Sequence, residues 1–393
     1  MAEQAIVSQK FGGTSVATAD RRQQVVRHVK RVLADGYTPV VVVSAMGRRG
    51  DPYATDTLLD LLESEGIPIA GRDYDFVFQA GEIISAGLMS HLLKRNGVPA
   101  VALTGWQAGV TSDALYRRAS IKRIETDRLL RHIEQGEVPV VTGGQGVSED
   151  GDVTILGRGA SDTSGVAVGA ALEAERAEIY SDVPGVAITD PRIVPEARFL
   201  PEISYDKMYE LARYGVKVVH ESAVLVGKEG DTPILCRSTF EDSPGTRIVD
   251  QADEPPLVGL PKMGPVDVVS VEAAKSAGVK TDALYDKLGV VSLRDQESDD
   301  LVLAVPPGWR GELEEALFAA DAGPATVFAD HSLVSLVGDP GFLADSVSRV
   351  DAIVAELGIE ERFRETTALR VTLVVPEVNG PQLIRALYAA LAE

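Results

Sequence analysis

The sequence predicts an α/β protein whose mainly parallel sheet is covered by helices on both sides, followed by a smaller α+β region. Three observations support this fold class. Short apolar strands alternate with amphipathic helices over the first 250 residues. Glycines follow several of these strands, at the sheet edge where ligands bind in open parallel sheets. After that point, shorter elements repeat in a βαββαβ order that is typical of paired ferredoxin-like modules.

The elements of the first region follow from the hydrophobic pattern. Residues 6–11 form the first predicted strand, which ends at a glycine pair. Residues 21–35 have the apolar spacing of an amphipathic helix, and 38–44 form a strand buried on both faces. The other predicted elements are helices at 56–65 and 76–94, and strands at 99–103, 138–142, 153–155 and around 179.

A polar, acidic and turn-rich stretch at 241–256 marks the predicted domain boundary. We therefore expect a first domain over 1–250 and a second over 256–393. In the second domain the predicted strands are 266–271, 290–293, 301–305, 326–328, 332–337 and 369–375. Its predicted helices are 273–287, 310–320, 344–357 and 381–391.

The composition limits the classes of function. The chain has 393 residues and a formal net charge of −21, which argues against nucleic-acid partners and anionic membrane surfaces. No apolar run reaches the ~18 residues of a membrane span, and the first nine residues lack the pattern of a signal peptide. The single cysteine, Cys236, excludes an intramolecular disulfide and argues against a cysteine zinc site. These features favour a cytoplasmic enzyme.

Two glycine-rich segments have the composition of anion-binding loops. One is LGRGASDTS at 156–164, which follows a strand and opens a helix; the other is KFGGTS at 10–15. Arg158 offers a guanidinium fork for a carboxylate or phosphate, and Asp162 can orient a cation. Two anion sites in one chain predict phosphoryl transfer to an acidic small molecule.

Six successive motifs resemble those of aspartate kinase, a member of the amino-acid kinase fold. They are KFGGTSV (10–16), VVVSAMGRRGDPYATD (41–56), GE (81–82), GRGASDTS (157–164), SDVPGVAITDPRIV (181–194) and YGVKVVH (214–220). The resemblance covers residues 5 to about 250 and implies a three-layer, amino-acid-kinase-type catalytic domain. The C-terminal third resembles the family's paired ACT modules in size and pattern.

The resemblance implies transfer of the ATP γ-phosphoryl group to the side-chain carboxylate of L-aspartate. The product is 4-phospho-L-aspartate, the first step towards lysine, threonine and methionine. A carboxylate nucleophile has a pKa near ~4 and is already ionised at neutral pH, so the reaction requires no general base. It requires positive charge around the phosphoryl group instead. Mg²⁺ is expected to be held mainly by ATP phosphates and water, without a protein metal site.

The resemblance assigns catalysis to Lys10 and Asp162. Lys10 would stabilise the transferring phosphoryl group, and Asp162 would position that lysine. The ordinary structural alternatives are a lysine at a strand end and an N-cap carboxylate.

The residues expected to bind the amino-acid substrate are Arg158 and Ser161 for the α-carboxylate, Glu82 for the ammonium group, and the hydroxyls of Ser44 and Thr55. A solvated helix carboxylate is the alternative for Glu82, and turn or cap residues are the alternative for the hydroxyls. The residues expected to bind ATP are Lys10, Gly12, Gly13, Thr14, Ser181, Asp182, Asp190, Arg192 and Lys217, the last of which could instead be a surface lysine.

Three positions depart from the family pattern. Ala160 replaces the second glycine of GRGGSD, Gly144 replaces an aromatic residue, and Glu221-Ser222 replaces Pro-Arg. If Ala160 had a positive φ, it would cost ~1 kcal/mol.

The ACT-like pair implies a homodimer or larger homo-oligomer, with lysine or threonine as effector and weak or altered feedback. Two other functions remain open from the sequence. One is an enzyme of the same fold that phosphorylates a different acidic substrate. The other is a catalytically silent amino-acid sensor that keeps the kinase fold as a scaffold.

Overall fold

The computed structural model describes residues 5–157, 159–323 and 325–392. The chain divides into two compact units, Met1–Val186 with Val218–Ala252, and Ala187–Lys217 with Asp253–Glu393. The segment Ala187–Lys217 therefore belongs with the C-terminal residues rather than with the N-terminal sheet. The functional boundary predicted between residues 250 and 256 stays a prediction.

The described elements are numbered here in chain order. The strands are β1 (Ile6–Phe11), β2 (Thr38–Val43), β3 (Ala100–Leu103), β4 (Val110–Ser112), β5 (Ile121–Ile124), β6 (Val138–Thr142), β7 (Gln145–Val147), β8 (Val153–Ile155), β9 (Arg176–Ser181), β10 (Glu202–Ser204), β11 (Ile234–Ser238), β12 (Thr246–Val249), β13 (Leu257–Gly259), β14 (Lys262–Val271), β15 (Val291–Arg294), β16 (Leu301–Val305), β17 (Thr326–Gly338), β18 (Phe363–Thr366) and β19 (Arg370–Pro376). The α-helices are α1 (Gly13–Val16), α2 (Ala19–Ala34), α3 (Thr55–Glu63), α4 (Gly71–Arg95), α5 (Asp127–Glu134), α6 (Ala160–Ala171), α7 (Tyr205–Arg213), α8 (Glu221–Glu229), α9 (Thr281–Leu288), α10 (Arg310–Ala319), α11 (Pro340–Glu356) and α12 (Gly380–Leu391). Short 3₁₀ helices cover Ala273–Lys275 and Glu377–Asn379.

The main sheet of the first unit contains the strands β12-β11-β9-β1-β2-β6-β3 in that order. The pairs β11–β9, β9–β1, β1–β2, β2–β6 and β6–β3 are parallel, and β12 is antiparallel to β11. Strand β1 therefore lies at the centre, between β2 and β9. A smaller sheet has the order β5-β4-β7-β8.

Helices cover both faces of the main sheet. On one face, Val41 and Val43 of β2 pack in a cluster with residues of α2 and α4. On the other face, Val40 and Val42 pack in a cluster with residues of α5 and α6. The unbroken valine run of β2 is buried on both faces, as expected for an interior parallel strand. The predicted three-layer α/β arrangement is thus confirmed.

Helix α4 is long and apolar enough by length and composition to cross a membrane, and within the described ranges it alone meets that test. Half of its most apolar stretch is buried inside the protein. Met89 and Leu93 belong to the core cluster beside the main sheet, and Asp75 and Glu82 are buried polar residues on the same helix. These contacts make α4 a helix of the folded core.

The second unit contains one antiparallel sheet of order β15-β16-β14-β17-β19-β18, to which β13 adds by pairing with β17. Helices α9 and α10 contribute to a core cluster with β14 and β16. The predicted C-terminal α+β region of ACT type is confirmed. Its two halves share a single sheet, joined through the β14–β17 pair.

Three predicted elements of this region differ from the structure. The helix predicted at 273–287 is a 3₁₀ turn at Ala273–Lys275 followed by α9. The chain between them approaches its neighbour closely, since a Cβ on Gly278 would lie 2.9 Å from the carbonyl oxygen of Ala320. The strands predicted at 326–328 and 332–337 form the single strand β17. Irregularities in its pairing with β14 accommodate the polar residues at its middle.

Candidate active site

An open cavity of about 400 Å³ lies in the first unit, where β1 ends and α6 begins. The cavity is lined by Lys10, Tyr74, Phe78, Arg117, Ile155, Leu156, Gly157, Gly159, Ala160, Ser161 and Asp162. It therefore joins the first strand to the glycine-rich turn that the sequence analysis paired with it. Arg158 lies outside the described residues, so its expected role stays a prediction.

Lys10 and Asp162 form an ion pair inside this cavity. The Nζ of Lys10 is 2.5 Å from Oδ1 of Asp162, and the two side chains are 11% and 16% exposed. The backbone N–H of His220 donates to Oδ2 of Asp162 at 3.2 Å. A Cβ on Gly165 would lie 2.7 Å from Cβ of Lys10, so the glycine lets β1 and α6 approach each other. The two predicted catalytic residues are thus in direct contact.

The turn before α6 requires glycine at residue 159 rather than at residue 160. Gly159 is the N-cap of α6 and has φ +64. A Cβ there would also lie 2.0 Å from Cγ of His220. Ala160 is already helical, so the strain considered for it does not arise. Gly144 has φ +73, and a Cβ added to it would lie 2.9 Å from the Cβ of Ala160. The departures from the family pattern at residues 144 and 160 are therefore close neighbours in the fold.

The third departure, Glu221-Ser222, stands at the start of α8. His220 caps this helix, because its Nδ1 accepts the backbone N–H of Ser222 at 3.3 Å. The His220 side chain therefore stabilises the start of α8, while its backbone holds Asp162.

Of the two predicted substrate hydroxyls, Ser44 contacts a residue of the cavity and Thr55 lies against Gly81. Ser44 Oγ donates to Ser161 Oγ at 2.8 Å, which joins the end of β2 to the first turn of α6. A Cβ on Gly143 would lie 2.7 Å from Cβ of Ser161. Thr55 begins α3, and its Oγ1 would lie 2.3 Å from a Cβ on Gly81. Gly81 therefore gives Thr55 access to the position next to Glu82.

Glu82 is a buried carboxyl group rather than a solvated one. Its side chain is 6% exposed, and burial raises its pKa from 4.5 to about 8, against the opposing effect of hydrogen bonds from the backbone at Glu82 and Ala45 and from Gln145. Among the described residues, Glu82 Oε2, Thr55 Oγ1 and Ser85 Oγ are buried without a hydrogen-bond partner. Buried polar atoms normally have partners, so this cluster is suited to a polar ligand.

The predicted nucleotide-binding residues divide between the two units. Gly12 lies close to the catalytic candidate Lys10, since a Cβ added to Gly12 would be 3.4 Å from Nζ of Lys10. Gly13 and Thr14 belong to α1, directly after β1. Ser181 ends β9, the strand next to β1, and Asp182 follows it as an exposed residue.

The other three nucleotide-binding candidates belong to the second unit. Asp190 and Arg192 pair with each other at 2.6 Å, which lowers the pKa of Asp190, and the Arg192 side chain is 90% exposed. Lys217 is exposed at the end of its segment. Their part in binding ATP stays a prediction.

The sequence analysis missed Tyr74, Phe78 and Arg117 on the cavity wall, and Asp75, which supports Arg117. One signal was available, because Asp75 and Glu82 are seven residues apart and therefore share one face of α4. As for metal binding, the described ranges contain no group of three or more His, Cys, Asp or Glu side chains that could hold a metal ion.

Comparison with known proteins identifies the family. The model of the amino acid kinase family matches residues 6–238. The chain belongs to this family. An aspartokinase of Geobacillus stearothermophilus is 33% identical over 407 residues, which cover 98% of this chain and 97% of the relative.

Solved structures share the fold over the whole chain. E. coli aspartokinase III in complex with aspartate and ADP covers 99% of this chain with 100% of its own, at a TM-score of 0.82 and 21% identity. The same enzyme in complex with lysine and aspartate covers 100% of both chains at a TM-score of 0.72 and 21% identity. At this identity the likeness establishes the fold, while the curated relatives confirm the predicted kinase class.

Proposed function

We propose that this protein transfers the γ-phosphoryl group of MgATP to the side-chain carboxylate of L-aspartate, giving 4-phospho-L-aspartate. The observation that carries this proposal is the Lys10–Asp162 pair inside a cavity whose Ser161 is hydrogen-bonded to Ser44, the neighbour in sequence of Ala45, whose backbone hydrogen-bonds the buried Glu82 carboxyl. Lys10 supplies positive charge, and the hydrogen bond between Ser44 and Ser161 links its cavity to the Glu82 site. The aspartokinase relatives support aspartate as the acceptor and ATP as the donor.

Lys10 stabilises the negative charge that develops on the transferred phosphoryl group. The lysine stands at the end of the central strand, and the carboxylate of Asp162 holds its ammonium in place. A preorganised charge in a partly enclosed site stabilises the transition state without rearrangement during the reaction. Ser161 and Asp162 lie in the first turn of α6, whose N-terminus also favours an anion.

Glu82 binds the ammonium group of the acceptor, together with Thr55 and Ser85. An ammonium has three N–H donors, and three buried oxygen atoms here lack partners among the described residues. The acceptor carboxylate needs no deprotonation, which agrees with a site that offers positive charge rather than a general base. Arg158 and Ser161 are proposed to hold the α-carboxylate.

The remaining roles are proposals that rest on the family resemblance. The residues proposed to bind ATP besides Lys10 are Gly12, Gly13, Thr14, Ser181, Asp182, Asp190, Arg192 and Lys217. Mg²⁺ enters as part of the MgATP substrate. The region 256–393 is regulatory, forms a homodimer or larger homo-oligomer, and binds lysine or threonine with weak or altered feedback. The lysine complex of E. coli aspartokinase III supports an amino-acid effector. The expected location is cytoplasmic.

The test is acceptor-dependent ADP release, with the acyl phosphate trapped by hydroxylamine as the hydroxamate. We expect turnover with aspartate, and a kcat about 100-fold to 1,000-fold lower for Lys10→Met. The matched control is Lys30→Met, since Lys30 is an exposed lysine of α2. Signal with another acidic amino acid and none with aspartate would establish a different acceptor. Binding of amino acids without any turnover would indicate a silent sensor.

A further inference from the structure

Arg117 places a second cation on the wall of the cavity that contains Lys10 and Asp162. Its guanidinium lies over the ring of Tyr74, with Cζ 4.4 Å from the ring centroid. Its Nη2 donates to the carbonyl oxygen of Ile69 at 2.8 Å. No acceptor is found for Nε or Nη1 within the described part of the chain, so both remain available to an anionic ligand.

The backbone of Arg117 is held in an unusual conformation by a buried carboxylate. Its φ is +67, a region that non-glycine residues seldom adopt. Both carboxylate oxygens of Asp75 accept its N–H, at 2.9 and 3.0 Å, and the Asp75 side chain is fully buried. Strained residues held by their surroundings concentrate at functional sites. The fold thus fixes this arginine at the cavity.

The same contacts place Arg117 at the amino-acid end of the site. Asp75 Oδ2 also accepts the N–H of Ile155, at the end of β8. The N–H of Gly157 donates to the carbonyl oxygen of Ala119, two residues after Arg117. The segment that carries Arg117 therefore runs beside the turn leading to Ser161, the residue assigned to the α-carboxylate.

We propose that Arg117 joins Arg158 and Ser161 in binding the α-carboxylate of the acceptor amino acid and so contributes to specificity for acceptors that carry this group. This inference rests on the proposed function of the site. A guanidinium with one nitrogen anchored to Ile69 and two nitrogens open can donate a bidentate pair to a carboxylate. The aromatic ring of Tyr74 holds the plane of the Arg117 guanidinium in place for this contact.

The test compares aspartate with β-alanine, which is aspartate without its α-carboxylate. The variant is Arg117→Gly, because glycine accepts a positive φ and removes the guanidinium without straining the turn. We expect the KM for aspartate to rise about tenfold to 100-fold, from the loss of a charge-assisted hydrogen-bond pair. The kcat and the KM for ATP, and the inhibition constant of β-alanine, are expected to stay the same.

The matched control is Arg118→Gly, which removes the neighbouring exposed arginine and is expected to leave the KM for aspartate unchanged. The melting temperature of Arg117→Gly should stay close to that of the parent protein, because relief of the positive φ offsets the lost contacts with Tyr74 and Ile69. A near-parental melting temperature separates the effect on binding from an effect on folding. An unchanged KM for aspartate, a raised KM for ATP, or an equal weakening of β-alanine would overturn the role of Arg117. Absence of aspartate turnover in the parent protein would overturn the proposed function itself.

Discussion

Binding of aspartate should release a proton from Glu82. In the free protein this carboxyl is 6% exposed, and burial raises its pKa to about 8. At pH 7 it is therefore protonated in about 90% of the molecules. An ammonium group placed against it favours the ionised form, because an opposite charge lowers the pKa of a carboxyl group. We expect release of about 0.9 proton per bound aspartate at pH 7, and a smaller release as the pH rises past 8.

The same shift makes the affinity for aspartate depend on pH. Below pH 8 the ionised fraction of Glu82 rises about tenfold with each pH unit, so the dissociation constant should fall about tenfold per unit. Above pH 8 it should level off. Between pH 4.5 and about pH 8, Glu82 holds a proton in the folded protein that it has lost in the unfolded chain. The free energy of unfolding therefore falls as the pH rises through this range.

The resulting loss of stability is about 5 kcal/mol at most, which follows from the difference between the Glu82 pKa of 4.5 in the unfolded chain and about 8 in the folded protein. Aspartate relieves it by supplying a counter-charge. The increase in melting temperature that saturating aspartate produces should therefore be larger at pH 8.5 than at pH 6. Differential scanning fluorimetry at the two pH values measures this increase.

Isothermal titration calorimetry at pH 7 in two buffers of different ionisation enthalpy counts the released protons. Glu82→Gln should bind aspartate more weakly and release no proton. Asp73→Asn provides the matched control, because Asp73 is an exposed carboxylate on the same helix. Its removal should change neither the affinity for aspartate nor the number of protons released. A release near zero in the parent protein, or the same release in Glu82→Gln, would refute the reasoning.

Two further predictions concern the glycine-rich turns. Gly159→Ala should abolish activity and lower the melting temperature, because it combines a φ of +64 with a Cβ 2.0 Å from Cγ of His220. Gly36→Ala is the control, since Gly36 has φ +87 and nothing within 4 Å of its Cβ position; an equal loss of activity there would contradict the contact argument. Gly144→Ala should destabilise the fold by about 1–3 kcal/mol from its positive φ and its contact with Ala160. Ala160→Gly should recover part of that loss in denaturant titrations, and strict additivity of the two changes would show that the positions are independent.

The strands of the first unit were predictable where an apolar run is bounded by turn residues. Strands β1, β6 and β8 have the predicted bounds, as does β16 in the second unit. The helix predicted at 273–287 is interrupted around Gly278, which lies close to Ala320. A glycine weakens a helix interior, so the sequence contained a local signal for this break that the apolar spacing outweighed in the prediction.

The contact between the two candidate catalytic residues was predictable from the motifs, because both residues lie in short segments with a recognisable pattern. The contact between Lys10 and Asp162 and the burial of Glu82 agree with the expected roles. The requirement for glycine at residue 159 was not predictable in the same way. It depends on His220, a residue more than 50 positions later, whose backbone also holds Asp162.

Arg117 shows why the cavity wall was harder to predict than the catalytic pair. An arginine between two short strands reads as a surface residue, and its conformation follows from a carboxylate on another element. Asp75 holds the arginine's amide and the end of β8 at once, so one buried side chain aligns two walls of the cavity. The residues that carry out the chemistry can be found in motifs, whereas those that shape the acceptor site emerge only when α4 is packed against the glycine-rich turn. If Lys10 and Asp162 serve the phosphoryl transfer as we propose, differences in acceptor preference within the fold should arise at such supporting positions.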